Sequence, residues 1–68
     1  MINVNKLKGL ISENDLSQRK LADMLGMSET TFYTKMKRGV FDSDEMEAMI
    51  EILKISNPIE VFFASKVT

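Results

Sequence analysis

Four helix-start signals recur along this chain, at Ser17, Ser28, Asp42 and Asn57, and they leave room only for short helices between them. Ser17 is a capping residue with Leu16 before it and Leu21 four residues beyond it. That is the spacing of a hydrophobic staple, in which the residue ahead of the cap packs on the fourth helical residue. Ser28 repeats the arrangement with Met27 and Phe32. Asp42 repeats it with Phe41 and Met46, and adds Glu45 at the third helical position to reach back to the cap. Asn57-Pro58-Ile59-Glu60 opens differently, with a capping Asn, a Pro where no N–H is needed and an acid in the first turn.

The apolar residues fall into register with these signals. Val4, Leu7, Leu10 and Ile11 form one stripe of a first helix from Asn3 to Glu13, and Met46, Met49, Ile50 and Leu53 form one on the fourth. Asn14-Asp15 reads as a turn, and Gly39 stands where the third helix, ending near Arg38, takes a left-handed residue. There is no β-like alternation, repeat or low-complexity tract. The expectation is an all-α chain of five short helices forming one domain over residues 1–68, its last helix covering 57–66 and fraying toward Thr68.

Composition narrows the chemistry. A chain of 68 residues has one thin core, burying only about 60% of the surface its unfolded form exposes. It has neither cysteine nor histidine, which removes disulfides, thiolate metal sites, Cys nucleophiles and the commonest general base. Carboxylates alone would have to carry any catalysis, so no enzyme, cofactor, metal or small-molecule substrate is expected. No stretch approaches the ~18 to 20 apolar residues of a membrane span. The segment Met1-Ile2-Asn3-Val4-Asn5-Lys6 lacks the apolar core and cleavage site of a signal peptide, so a cytoplasmic location away from membranes is expected.

Charge is unevenly distributed. The net charge is −1, but residues 1–40 hold seven Lys/Arg against four Asp/Glu, whereas residues 41–68 hold two against six. A basic half beside an acidic one suggests a nucleic-acid face, although an excess of this size also arises by chance.

Residues 17 to 38 carry the most informative pattern. Two short helices that cross almost perpendicularly need a small residue where they touch and a sharp turn between them. Ala22 supplies the first and Gly26 the second, through its tolerance of positive φ. Leu21, Leu25, Met27, Phe32 and Met36 are spaced to anchor the inner faces.

The Gln-x-x-x-Ala-x-x-x-Gly pattern of Gln18, Ala22 and Gly26 resembles the helix-turn-helix of the phage repressor and Cro family. The likeness covers nearly the whole chain. The Phe32-Tyr33-x-Lys35 run, the Phe41…Glu45 lead into the fourth helix and the Asn57-Pro58-Ile59-Glu60-Val61-Phe62-Phe63 ending look like small repressors of Gram-positive phages. One departure concerns the third helix. The family usually has an aliphatic residue three positions after the anchor held here by Phe32, but Lys35 stands there and Met36 follows. The helix is then either slightly rotated or longer than usual.

The resemblance implies a lambda-repressor-like DNA-binding domain, with its helix-turn-helix at helices 2 and 3 and double-stranded operator DNA as partner. The third helix would lie in the major groove, with Ser28, Glu29, Thr30 and Thr34 as base readers and Tyr33 on the flank. Glu29 then accepts from a cytosine amino group, or it is an ordinary first-turn acid favoured by the helix dipole. Gln18 is the family's phosphate clamp, assisted by the N–H groups at the start of its helix. Ser17, Arg19, Lys35, Lys37 and Arg38 are the other candidate phosphate contacts, and Lys6 and Lys8 are lesser ones.

Phe62 and Phe63, adjacent on a helix, point about 100° apart, so one enters the core while the other faces out. With Ile59 and Val67 they suggest a homodimer interface at a two-fold symmetric operator. The absence of a further oligomerisation domain favours a Cro-like regulator or a repressor complete in this form. The alternatives are an antitoxin-type regulator and an antirepressor-like module that binds a protein through the acidic half (Asp42, Asp44, Glu45, Glu47, Glu51 and Glu60).

Overall fold

Ser17, Ser28 and Asn57 cap where the sequence puts them, and Asn3, expected as the first helical residue, is itself a cap. In the computed structural model, which describes residues 2–63, Asn3, Ser17, Ser28 and Asn57 each accept the backbone N–H three residues ahead. At Asp42 the backbone N–H is taken up by Glu45 Oε1 at 2.8 Å. Each bond satisfies a donor that a helix start would otherwise leave open. The helices that follow are α1 (Val4–Glu13), α2 (Gln18–Met24), α3 (Glu29–Arg38), α4 (Ser43–Ile52) and α5 (Pro58–Phe62). The fold is all-helical, and no helix among the described residues is long and apolar enough to cross a membrane.

The helix ends share one device. At the ends of α1, α2, α3 and α4 the residue after the last turn has positive φ: Asp15 (57°), Gly26 (74°), Gly39 (72°) and Lys54 (53°). In each case the next N–H reaches back five residues: Leu16 to Ile11 O, Met27 to Ala22 O, Val40 to Lys35 O and Ile55 to Ile50 O. These are Schellman motifs, which satisfy open carbonyls while turning the chain sharply. Only two of the four use glycine.

The core takes Leu7 and Ile11 from α1, Leu21 and Ala22 from α2, Phe32 and Met36 from α3, Met49 from α4 and Val61 and Phe62 from α5. Phe41, Leu53 and Ile55 close it from the connecting segments. Phe32 and Phe41 stack obliquely, with centroids 5.5 Å apart and planes at 52°. Asn14 ties the ends of two helices together, its Nδ2 donating to Leu10 O (2.8 Å) and Leu53 O (3.2 Å).

The last helix is shorter than the sequence suggests. It ends at Phe62, and Phe63 has left the helical region (φ −128°, ψ 42°). Val61 O accepts the Asn3 N–H at 2.8 Å, which ties the start of α1 to α5. Residues 64–68 lie outside the described residues, and with them the expectations placed on the segment to 66 and on Val67.

Candidate nucleic-acid interface

The angle between α2 and α3 is set by backbone at the turn and by side chains at the crossing. Met27 N–H donates to Ala22 O and Gly26 N–H to Asp23 O, both at 3.0 Å. Gly26 is exposed, and an added Cβ there would meet nothing within 4 Å. Its glycine therefore answers to φ and not to space. Ala22, fully buried, is the small residue at the crossing, and Leu21, Phe32 and Met36 anchor the inner faces.

With Phe32 and Met36 turned inward, Glu29, Thr30, Tyr33, Thr34, Lys37 and Arg38 are exposed along α3. Tyr33 is 64% exposed, an uncommon placement for an aromatic unless something covers it. The candidate base readers are not equivalent. Ser28 is committed to the helix start, accepting from Thr31 N and donating to Thr31 Oγ1. Thr34 donates its hydroxyl proton to Thr30 O at 2.9 Å, which leaves its methyl and an acceptor lone pair. Glu29, Thr30 and Tyr33 make no side-chain hydrogen bond among the described residues.

Two open grooves flank this face. One, between the starts of α2 and α3, is lined by Ser17, Arg19, Lys20, Asp23, Met27, Ser28 and Glu29. The other joins three helices, with Lys8 of α1, Gln18 of α2 and Tyr33, Met36 and Lys37 of α3 along its walls beside Val4. The structure thus gathers Ser17, Arg19, Ser28 and Glu29 on one side and Gln18, Tyr33 and Lys37 on the other. Arg38 lies at the far end of α3.

The cations divide by what the helix itself explains. Lys37 and Arg38 occupy the last turn of α3, where the helix dipole favours them regardless of any ligand. Arg19 and Lys20 open α2, whose first turn holds no acid. There they oppose the dipole by a few tenths of a kcal/mol to about 1 kcal/mol each. Helix stability does not account for that placement, whereas an anionic partner would. Lys20 was absent from the sequence-based candidates, and the available signal was this first-turn position.

Two candidates need correction. Lys35 is no outward cation: its Nζ lies 2.7 and 2.8 Å from the two carboxylate oxygens of Glu45 and 3.4 Å from Asp42 Oδ2. Its side chain is only 26% exposed, because it points into the seam between α3 and the start of α4. The departure at this position is therefore not a rotation of α3, since Phe32, Lys35 and Met36 all face the body. Phe62, proposed for a dimer interface, is 3% exposed and belongs to the core. Phe63 is 44% exposed and Ile59 58%, so the outward apolar surface is theirs. Lys6 pairs with Glu60 at 2.7 Å across α1 and α5, whereas Lys8 lines the groove with Gln18.

No curated protein and no solved structure matches the chain. Residues 7–59 match the family described as the bacteriophage CI repressor helix-turn-helix domain. With that match over most of its length, the chain belongs to this family of DNA-binding transcriptional regulators and is not an enzyme.

Proposed function

We propose that the protein binds a two-fold symmetric operator as a homodimer and acts as a Cro-like repressor, with α3 in the major groove. The observation that carries this reading is the outward face of α3. Glu29, Thr30 and Tyr33 stand uncommitted there, between Arg19 and Lys20 on one side and Lys37 with Gln18 on the other. Side chains with unused donors and acceptors suit base edges, and cations on both flanks suit the phosphate strands that border the groove. Thr34 adds a methyl for thymine contact, and Ser28 holds the start of the helix in place.

Dimerisation is assigned to the exposed apolar pair of Ile59, on α5, and Phe63, just beyond its end. Two copies of α3 would then enter successive major grooves about 34 Å apart. The antirepressor alternative loses ground, because Asp42 and Glu45 are engaged by Lys35 and Glu60 by Lys6.

A titration of labelled upstream DNA across a salt series tests the reading. If Arg19, Lys20, Lys37 and Arg38 each neutralise a phosphate, log K falls linearly with log salt, with a slope of about −3.6 per protomer. Tighter binding to an inverted repeat than to random sequence is expected. Binding with neither a sequence preference nor a salt slope would overturn it.

A further inference from the structure

We infer that Lys35 is a positioning residue, which fixes the roll of α3 on the body through Glu45 and does not contact the DNA backbone. This rests on the reading of α3 as the base-reading helix. An ammonium has three N–H donors, and the three carboxylate oxygens of Glu45 and Asp42 surround Nζ at 2.7, 2.8 and 3.4 Å. The ammonium is thereby held against the start of α4. Glu45 is itself held, because its Oε1 also accepts the Asp42 N–H at 2.8 Å. The last turn of α3 is thus fastened to the first turn of α4 by a carboxylate that cannot swing away without opening the start of α4. One turn earlier, the contact of Phe32 with Phe41 fastens the same seam.

Two attachment points on one side of a helix define its rotation as well as its position. Packing on α2 through Ala22, Leu21 and Met36 sets the crossing, and the Phe pair and the ion pair add two directed contacts on the α4 side. Rotation matters here because Thr30 and Thr34 lie on the side of α3 opposite Phe32 and Lys35, so a small roll would move both relative to the base edges. The resemblance to repressors supplies a chemical parallel: an aliphatic side chain usually fills this position and would pack into the same seam. Lys35 with Glu45 does by hydrogen bonding what the aliphatic residue does by packing.

The test uses the full chain and compares Lys35→Ala, Glu45→Gln and the double variant Lys35→Leu with Glu45→Gln. Each is titrated against operator and random DNA over a salt series. The expected result is that each single variant lowers the operator-to-random affinity ratio by roughly tenfold, within the range for residues acting through a packed neighbour. The salt slope stays at the wild-type value, and the double variant recovers the wild-type ratio although it has no cation at this position. A slope reduced by about one in Lys35→Ala, as for a lost phosphate contact, would overturn the inference. So would Glu45→Gln tightening operator and random DNA alike by releasing Lys35, or a ratio unchanged in both single variants. Should a single variant fail to fold, the double variant decides, through wild-type ratio and slope on one side or a slope lower by about one on the other. Absence of any operator preference in the wild type would instead defeat the base-reading assignment of α3.

Discussion

Individual residues act in this chain chiefly through backbone geometry. Gly9 lies exposed within α1, where an added Cβ would meet nothing within 4 Å. Gly9→Ala is therefore expected to raise stability by about 0.5–1 kcal/mol in urea unfolding, by lowering the entropy of the unfolded chain. Gly26→Ala should have the opposite sign, costing about 1 kcal/mol, because φ of 74° crowds any Cβ against its own carbonyl. Lys54 sits in the same conformation without being glycine (φ 53°), so Lys54→Gly should stabilise by about 0.5–1 kcal/mol. If Gly26→Ala proved neutral, the left-handed turn would not be what holds α2 and α3 apart. The caps and the two glycine turns were legible in the sequence because a side-chain oxygen or a missing Cβ at fixed spacing dictates them. Lys54 was not, since its φ follows from the Ile55-to-Ile50 hydrogen bond and leaves no trace in residue type.

At the scale of elements, the order and starts of the helices were readable because staples and caps are local, spanning four or five residues. What crosses between elements was not. The Lys35 to Glu45 pair joins residues ten apart through an intervening turn, and the sequence alone gives no reason to prefer it over an outward lysine. The bond to Glu45 holds the Lys35 ammonium above its ordinary value of 10.5, against partial desolvation and with help from Asp42. A raised lysine contributes stability that is complete below that ordinary value and is lost as pH climbs through the folded one. Thermal melts between about pH 9 and pH 12 should therefore show the wild type losing stability faster than the Lys35→Leu, Glu45→Gln double variant above about pH 10.5. Parallel losses in the two proteins would mean that the pair adds nothing to the α3–α4 seam. The end of α5 was equally hidden, because nothing in residue type marks Phe63 as leaving helical φ and ψ.

For the whole molecule, the surface proposed to read DNA and the surface proposed for association come from different segments. α3 offers the exposed side chains proposed to face DNA, while α5 gives Phe62 to the core and leaves Ile59 outside, with Phe63 exposed just past its end. Sedimentation of the wild type and Phe63→Ser, with and without operator, is expected to show a dimer only in the wild type. A monomer in both, even on DNA, would remove α5 from the account. The overall excess of acid over base conceals the working surface, because part of the acid is spent inside the fold on Lys6 and Lys35. Four cations at the helix-turn-helix, Arg19, Lys20, Lys37 and Arg38, have no such partner among the described residues. The central claim is that the outward face of α3 reads bases while the cations beside it hold phosphates. It is tested most directly by binding wild type, Glu29→Ala and Lys37→Ala to a panel of operators substituted one base pair at a time. Glu29→Ala should change preference at a single position by about 1–3 kcal/mol, while Lys37→Ala weakens every sequence alike and lowers the salt slope by about one. If the two variants gave the same profile across the panel, the claim would be contradicted.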